Sequence, residues 1–365
     1  MRKEKAVVKK LIVSIGLAAV FFLESCTVLR SLPPPPPPPA SALPPPSAPI
    51  PPSTPPTPPL PETPEVPPHA RIFSDFVGVI VRPGDTFSSL ASEYLKDPSK
   101  DWFIAEFNGL TSLTPGQELV IPLQPYEKGG LTFQGFQTVP VLTYHKFSKK
   151  ESDRMTVTES SFEAQMKFLR ENGYRVITLE EFFDFLDFKG PLPKKSVVIT
   201  IDEEWHSAYE IALPILEKYG YPATFFAYTD FITPKGWDLV REMSRRGIDV
   251  QCHTRTHRNL GKRKVNEPFR EYFEAVQREL TESAQMIQKH LHKEVKYLAY
   301  PYGDTNHLVT ALLRKLGYRG GLTVHREGNP FFVDPYRIHR SMIYGDFSLR
   351  EFVRNLAYFN EQGLR

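Results

Sequence analysis

After residue 138, apolar and polar positions divide the chain into alternating strands and helices. Short apolar runs predict strands at 139–144, 175–179, 196–201, 223–229, 248–252, 296–300 and 320–324. One helix is marked by an apolar stripe with steps of three or four residues, comprising Phe269, Phe273, Val276, Leu280, Ala284, Ile287 and Leu291. The alternation predicts an α/β fold with a parallel sheet, either open or closed into a barrel.

A shorter unit with its own turns precedes this region. Strands are predicted at 77–81 and 118–122, and a turn at 82–85 leads to a helix that Thr86 caps. A second helix near residues 101–107 ends at Asn108 and a glycine. The order is therefore βααβ, which is compact enough to fold as a separate module.

Composition separates both units from the segment before them. The chain has 365 residues and 36 prolines, and 21 of those prolines lie between Pro33 and Pro68. A segment this rich in proline is expected to stay disordered and extended, as a linker on the order of 100 Å long. We assign residues 26–70 to this linker.

The first 25 residues are typical of an export signal. Basic residues precede a short apolar run at 11–23, which lacks the roughly 20 residues that a membrane span needs. The end of this segment resembles a bacterial lipoprotein signal, which implies cleavage after residue 25 and lipidation of Cys26. We therefore expect a membrane-anchored lipoprotein of the cell envelope, facing the periplasm or wall. The alternative is an uncleaved signal-anchor in which Cys26 has no role.

Charge and cysteine content exclude two classes of protein. The net charge of +3 is also the balance of residues 1–25, so the remainder is neutral and lacks the excess of basic residues that nucleic-acid binding needs. Two cysteines cannot support a disulfide-rich scaffold. We expect a monomer that does not bind nucleic acid.

The βααβ unit resembles a LysM domain, which we place at residues 71–124. The resemblance rests on Val-Arg-Pro-Gly-Asp-Thr at 81–86, Ile-Ala-Glu-Phe-Asn at 104–108 and the ending Leu-Thr-Pro-Gly-Gln-Glu-Leu-Val-Ile-Pro at 113–122. It implies binding of N-acetylglucosamine polymers such as peptidoglycan and chitin, through Gly84, Asp85, Thr86 and Asn108. The alternative is that these turn residues only hold the fold.

Polar residues with catalytic potential follow four predicted strands of the larger region. They are His145, Asp202 with Glu203 and Glu204, the pair His253 and His257, and Pro301-Tyr302-Gly303. Ends of parallel strands meet at one rim, where barrel enzymes place their active sites. Two imidazoles and a carboxylate suit Zn²⁺ with an open position for water, and a second carboxylate could serve as general base.

These motifs resemble the polysaccharide deacetylases of the carbohydrate esterase 4 (NodB-homology) family. Thr-Ile-Asp-Glu-Glu at 200–204, His-Thr-Arg-Thr-His at 253–257 and Pro-Tyr-Gly at 301–303 match its motifs, and the early Leu-Thr-Tyr-His at 142–145 matches the permuted poly-N-acetylglucosamine deacetylase branch. The resemblance implies a distorted (β/α) barrel of the NodB type, which we place at residues 131–365.

The resemblance also implies a role for each residue. Asp202 would be the general base and His145 the acid that protonates the leaving amine. Glu203, His253 and His257 would hold a divalent metal, Zn²⁺ in first place, with Co²⁺ or another ion as alternatives. Tyr302 would provide backbone stabilisation of the oxyanion. Substrate contacts would come from Pro301, Gly303 and Trp205, although packing is the simpler reading of Trp205.

Several positions depart from the family pattern. Glu203 stands where the family has Asp, and Glu204 where it has Gly. Ala299 stands where an Arg usually orients the base, and Arg340 or Arg337 could substitute for it. His339 is an alternative catalytic acid, because Arg-Ile-His resembles a late motif of unpermuted members.

The predicted function is metal-dependent removal of N-acetyl groups from a polysaccharide that contains N-acetylglucosamine. Peptidoglycan and a poly-N-acetylglucosamine-like exopolysaccharide are the alternative substrates, and the LysM unit would dock the enzyme on the wall. The competing hypothesis is a catalytically inactive LysM lipoprotein that only binds the wall.

Overall fold

The computed structural model describes residues 69–124, 129–132 and 134–361. The predicted signal at 1–25, its lipidation site Cys26 and the proline-rich part of the linker lie outside the described residues. Within the described ranges, no helix is both long enough and apolar enough to cross a membrane.

The N-terminal unit is a three-stranded antiparallel sheet with helices between its second and third strands. Its elements are β1 (Ala70–Ile72), β2 (Phe76–Ile80), α1 (Phe87–Leu90) continued by a π-helical turn (Ala91–Leu95), a 3₁₀ turn (Pro98–Lys100), α2 (Asp101–Asn108) and β3 (Glu118–Pro122). The predicted βααβ order is confirmed. The sequence did not predict β1, since this edge strand buries none of its three residues and has no apolar pattern.

Local signals in the sequence set the limits of both helices. Thr86 accepts a hydrogen bond from Ser89 N, and the Ser89 hydroxyl accepts one from Thr86 N, which forms a capping box at the start of α1. Gly109 ends α2 with φ of 66°, a left-handed conformation that costs glycine little. Leu90 and Ile104 then lie in one small core with the apolar face of β2 and β3.

The larger unit alternates strands and helices as predicted. Its strands are β4 (Leu131–Thr132), β5 (Gly135–Val139), β6 (Val141–Tyr144), β7 (Lys146–Ser148), β8 (Thr156–Thr158), β9 (Arg175–Ile177), β10 (Ser196–Asp202), β11 (Thr224–Ala227), β12 (Asp249–Cys252), β13 (Tyr297–Ala299), β14 (Gly320–Leu322), β15 (Asn329–Pro330), β16 (Ser341–Met342) and β17 (Phe359–Glu361). Its helices are α3 (Glu159–Glu171), α4 (Leu179–Leu186), α5 (Trp205–Ser207), α6 (Leu213–Tyr219), α7 (Pro234–Arg245), α8 (Phe269–Leu291), α9 (His307–Lys315) and α10 (Leu349–Val353).

The main sheet is parallel and curls into a distorted barrel. Its order is β14-β13-β12-β11-β10-β6-β16, and β9 also pairs with β10. A parallel bridge between Leu322 and Ile338 joins the end of β14 to the chain that enters β16. The predicted (β/α) barrel is therefore confirmed, and its carboxyl-end rim brings together the strand ends that carry the candidate chemistry.

The strand predicted at 175–179 is shorter than expected. It ends at Ile177, because Thr178 caps α4 and forms a capping box with Glu181. The conformation of Thr178 is therefore set by its role as the N-cap of α4, and the residue is not part of the sheet.

Two polar contacts join the N-terminal unit to the barrel. Arg175 lies 2.5 Å from an Asp101 carboxylate oxygen. The Lys194 backbone N–H donates to the Glu106 carboxylate, at 2.9 and 3.1 Å from its two oxygens. Both acidic residues belong to α2, so this helix forms part of the contact between the two domains.

Candidate active site

Asp202 ends the central strand β10 and is held by a buried arginine. Asp202 is 1% exposed, and Arg340 donates from both terminal nitrogens to its two oxygens, at 2.7 and 2.8 Å. Burial alone would raise the pKa of Asp202, but the guanidinium outweighs it and the pKa is lowered. Asp202 is therefore a fixed carboxylate that stays ionised at neutral pH.

Arg340 is itself held from three sides. Its Nε donates to the Thr323 carbonyl, and Nη1 donates to the hydroxyls of Thr143 and Thr200. Of the two arginines that the sequence offered for this role, Arg340 is thus the one that contacts Asp202, while Arg337 pairs with Asp334. Arg340 directly precedes β16 (Ser341–Met342), and it contacts Asp202 in place of the Arg that the sequence pattern expects at the position of Ala299.

Glu203, His253 and His257 converge beside Asp202. Glu203 Oε1 lies 2.9 Å from His257 Nε2 and 3.5 Å from His253 Nε2. Ligands at about 2.0–2.2 Å from a tetrahedral ion are themselves about 3.3–3.6 Å apart. The contact with His253 has this spacing, the contact with His257 is shorter, and one ligand atom from each of the three residues lies within 4.8 Å of the other two. Although burial opposes the shift, the two imidazoles lower the pKa of Glu203 well below its usual range.

The two histidines present the nitrogens that a metal needs. His253 Nδ1 lies 2.8 Å from the Ala299 carbonyl oxygen, which can only accept, so this nitrogen carries the proton and Nε2 is left free. His257 Nε2 is buried and has no hydrogen-bond partner among the described residues. An orphaned buried nitrogen in this position fits a divalent ion such as Zn²⁺.

The site holds unusual backbone conformations that the sequence did not reveal. Positive φ values occur at Glu203 (69°), Thr254 (66°), His257 (58°) and Tyr302 (61°). They are half of the eight non-glycine residues with positive φ in the described ranges. Such strain is tolerated where surrounding contacts enforce it, and it collects at functional sites. At Glu203 it turns the side chain toward the histidines directly after the strand.

Sequence reasoning missed Glu279, which holds the loop that carries His257. Its carboxylate accepts from the backbone nitrogens of Arg255 and Thr256, at 2.9 and 2.8 Å. The residue is 7% exposed and lies on α8. The available signal was its position on the inward face of the helix, one residue before Leu280 of the apolar stripe.

The two candidate acids lie in different surroundings. Burial lowers the pKa of His145, and the negative charges of Asp202 and Glu203 oppose this shift, so His145 shares the electrostatic environment of the site. His339 Nδ1 instead lies 3.4 Å from Glu327 Oε2, with the ring of His325 at 4.9 Å between centroids. The charges around each ring therefore favour His145 over His339, and the choice of acid stays a prediction.

The Pro-Tyr-Gly turn covers one side of the histidine pair. The ring of Tyr302 packs edge-on against His257 at 4.8 Å between centroids, and 64% of Tyr302 is exposed. Pro301 is buried. Gly303 has φ of 71°, and a Cβ there would lie 2.4 Å from a Val324 methyl carbon, so only glycine fits.

Two other predicted residues lie next to the strand end. Glu204 caps α5, since its carboxylate accepts from Ser207 N at 3.4 Å. Trp205 packs on α7, where a Cβ on Gly236 would lie 2.9 Å from its ring. Packing thus accounts for Trp205, and its contact with sugar stays a prediction.

The residues predicted to bind glycan in the N-terminal unit make contacts within that unit. Asp85 accepts from Arg82 N at 2.8 Å and pairs with its guanidinium, which lowers the pKa of Asp85. Asn108 donates to the carbonyls of Ile104 and Val120 and accepts from Val120 N. Gly84 has φ of 90° in the turn before Thr86. Their role in glycan binding stays a prediction.

Comparison with known proteins identifies both domains. The family model for polysaccharide deacetylases matches residues 189–321, and that for LysM domains matches residues 79–122. The poly-β-1,6-N-acetyl-D-glucosamine N-deacetylase of Staphylococcus aureus strain MRSA252 is 30% identical over 228 residues, which cover 60% of this chain and 78% of that protein. The chain belongs to the polysaccharide deacetylase family. The predicted enzyme class, a polysaccharide N-deacetylase, is thereby confirmed.

Solved structures of polysaccharide deacetylases share the barrel. IcaB from Ammonifex degensii is 25% identical with a TM-score of 0.54, covering 61% of this chain and 98% of that one. The Streptococcus pyogenes deacetylase PplD, solved with acetate, is 23% identical with a TM-score of 0.54, covering 61% and 99%. Together, the deacetylase and LysM domains imply binding of polysaccharides that contain N-acetylglucosamine.

Proposed function

We propose that this deacetylase removes N-acetyl groups from a poly-N-acetylglucosamine-like exopolysaccharide, using a divalent metal held by Glu203, His253 and His257. The observation that carries the proposal is the convergence of these three side chains beside the buried pair of Asp202 and Arg340. The choice of polymer is supported by the named activity of the Staphylococcus aureus relative. Peptidoglycan is the alternative substrate, and the LysM domain favours it as the docking site.

The metal would supply a Lewis acid that polarises the acetamide carbonyl and lowers the pKa of a bound water. Asp202 accepts the proton of the attacking water, and Arg340 keeps its carboxylate in a fixed orientation throughout. His145 donates a proton to the nitrogen of the leaving amine. The backbone at Tyr302 stabilises negative charge on the carbonyl oxygen. The products are acetate and a glucosamine residue.

The alternative is an inactive protein that only binds the wall, and its basis is Glu203 in place of the family's aspartate. A glutamate is longer by one methylene, which could carry its oxygens past the metal. The left-handed backbone at Glu203 redirects the longer side chain, and Oε1 still comes within 3.5 Å of both imidazole nitrogens. The replacement therefore does not by itself argue for loss of catalysis.

Export and anchoring belong to the same proposal. The signal at 1–25 and lipidation at Cys26 would place the enzyme on the outer side of a membrane, and the linker would let it reach a polymer at a distance on the order of 100 Å. The enzyme would then dock on the wall through the LysM domain and deacetylate polymer within reach of its tether.

The experiment is acetate release by the purified protein on poly-N-acetylglucosamine, peptidoglycan and chitooligosaccharide, with and without added Zn²⁺ or Co²⁺. We expect metal-dependent release that is fastest on poly-N-acetylglucosamine. Faster release from peptidoglycan would overturn the choice of polymer. Absence of release from all three, with no metal bound, would overturn the proposal in favour of the wall-binding alternative.

A matched pair of histidine variants tests the assignment of the acid. His145→Ala should lower kcat by about a hundredfold or more, in line with the usual contribution of a general acid. His339→Ala should leave kcat within a few-fold of the wild type. The opposite ranking would assign the acid to His339.

A further inference from the structure

A second group of metal-ligating side chains lies outside the catalytic site. His325, Glu327 and His339 each offer one ligand atom, and these atoms all lie within 4.8 Å of one another. Glu327 Oε1 lies 3.4 Å from His325 Nε2, and Glu327 Oε2 lies 3.4 Å from His339 Nδ1. Each histidine nitrogen thus faces its own oxygen of Glu327, at a distance close to the separation of about 3.3–3.6 Å between ligands around a tetrahedral zinc ion.

Hydrogen bonding does not account for this arrangement. His339 Nδ1 is buried, yet in the described part of the chain nothing forms a hydrogen bond with it, even though Glu327 is close. His257 Nε2 in the catalytic site shows the same combination of a near carboxylate and no hydrogen-bond partner. Neutral imidazoles gain little from a carboxylate without a hydrogen bond, whereas a shared cation would satisfy all three groups.

We propose that His325, Glu327 and His339 form a second zinc site. Two imidazoles and one carboxylate are ligands of the type that Zn²⁺ takes, with water in the fourth position. Because 63% of the His325 side chain and 61% of the Glu327 side chain are exposed, the ion can enter from solvent. The site is separate from the catalytic residues and does not depend on the proposed reaction.

The position of the site gives it a structural role. The loop from 323 to 328 runs beside the chain that enters β16, and Arg326 donates to the Met342 carbonyl. Arg340, next to His339, donates from Nε to the Thr323 carbonyl at the start of the same loop. Zinc bound between His325 and His339 would fix the loop against the chain that carries Arg340 into β16, and would stabilise the fold around Asp202.

Counting zinc in four forms of the full-length protein tests the proposal. After dialysis against limited Zn²⁺, we expect about two equivalents in the wild type, about one in His325→Ala, about one in His257→Ala and none in the double variant. Removing a ligand should weaken zinc binding at that site by more than about a hundredfold. Mutating a residue that only hydrogen-bonds a ligand already lowers metal affinity by about 10- to 100-fold. Zn²⁺ should also raise the unfolding temperature of His257→Ala, and the double variant should not respond.

A matched control is available on the surface. His206 Nε2 lies 3.4 Å from Glu210 Oε1, the same spacing, but this pair has no third ligand in the described ranges. His206→Ala should therefore keep about two equivalents. Equal zinc content in the wild type and His325→Ala would overturn the proposal. If His257→Ala kept the wild-type zinc content while His325→Ala lost one equivalent, the second site would stand and the catalytic metal would fall.

Discussion

The LysM domain and the rim of the barrel use their polar residues in opposite ways. In the LysM domain, the side chains of Asp85, Thr86 and Asn108 accept hydrogen bonds from backbone N–H groups of the same domain. At the rim, His257 keeps a buried nitrogen without a hydrogen-bond partner among the described residues, and Glu203 sits in a left-handed conformation. Satisfied groups stabilise a fold, whereas unpartnered buried groups beside strained backbone are typical of functional sites.

Motif residues therefore indicate a chemical role in one domain and a structural role in the other. Both domains carry motifs that resemble a family, and both families match. In the LysM domain, contacts within the fold are enough to explain the motif residues at 85, 86 and 108. At the rim, Glu203, His253 and His257 are grouped as ligands of the divalent metal that we propose. Variants in the two domains should therefore fail in different ways.

The largest effect is expected from Arg340→Met. Loss of the guanidinium leaves Asp202 buried and unpaired, which should cost about 3–5 kcal/mol of stability and lower kcat by about a thousandfold. In the wild type, the lowered pKa of Asp202 means that its stabilising pair is complete above the ordinary carboxyl pKa and is lost as the pH falls through the lowered value. Denaturant unfolding and acetate release measure the two losses.

Arg337→Met is the matched control, because Arg337 pairs with the surface residue Asp334. It should change stability by less than about 1 kcal/mol and leave kcat unchanged. Equal losses of stability and kcat in both variants would show that the Arg340–Asp202 pair contributes no more to either than the surface pair does.

The next effect is expected from Glu203→Gln, which keeps the length of the side chain and removes its charge. Metal affinity should fall by about a hundredfold, because a neutral amide replaces an anionic ligand between two imidazoles. The neighbouring Glu204→Gln should bind metal normally, since Glu204 caps α5. Calorimetric titration with Zn²⁺ measures both, and a similar loss in the two variants would contradict the ligand assignment.

A smaller effect is expected in the LysM domain from Asn108→Ala. This change removes hydrogen bonds to Ile104 and Val120 and should destabilise the domain by about 1–3 kcal/mol. Deacetylation of soluble oligosaccharide should not change, because the barrel is intact. Ser112→Ala, in the loop after α2, should leave stability unchanged. If Asn108→Ala kept the domain stable but abolished binding to insoluble wall, the residue would act as a ligand contact after all.

The sequence predicted most of the fold and the grouping of Glu203, His253 and His257 at the rim, because periodicity and strand-end motifs are local signals. The stripe from Phe269 to Leu291 gave α8 with the observed bounds. The features that the sequence did not predict depend on contacts between residues far apart in the chain. The pairing of Arg340 with Asp202 spans 138 positions, and the support of the 254–257 loop by Glu279 spans more than 20. The left-handed backbone at Glu203 has no signal in its residue type, since glutamate rarely adopts it.

The smallest effect concerns the contact between the two domains. Burial raises the pKa of Glu106, although its hydrogen bond from Lys194 N opposes the shift. The folded protein therefore binds more protons than the unfolded one between the ordinary and the raised pKa, so this contribution is complete below the ordinary pKa and is lost as the pH rises through the raised value. Glu106→Gln should flatten this part of the pH dependence of the unfolding temperature. Lys194→Ala should keep this slope and extend it to higher pH, because the backbone N–H donor remains while the ammonium charge that opposes the raised pKa of Glu106 is lost. An unchanged slope in Glu106→Gln would show that the pH dependence arises from another group.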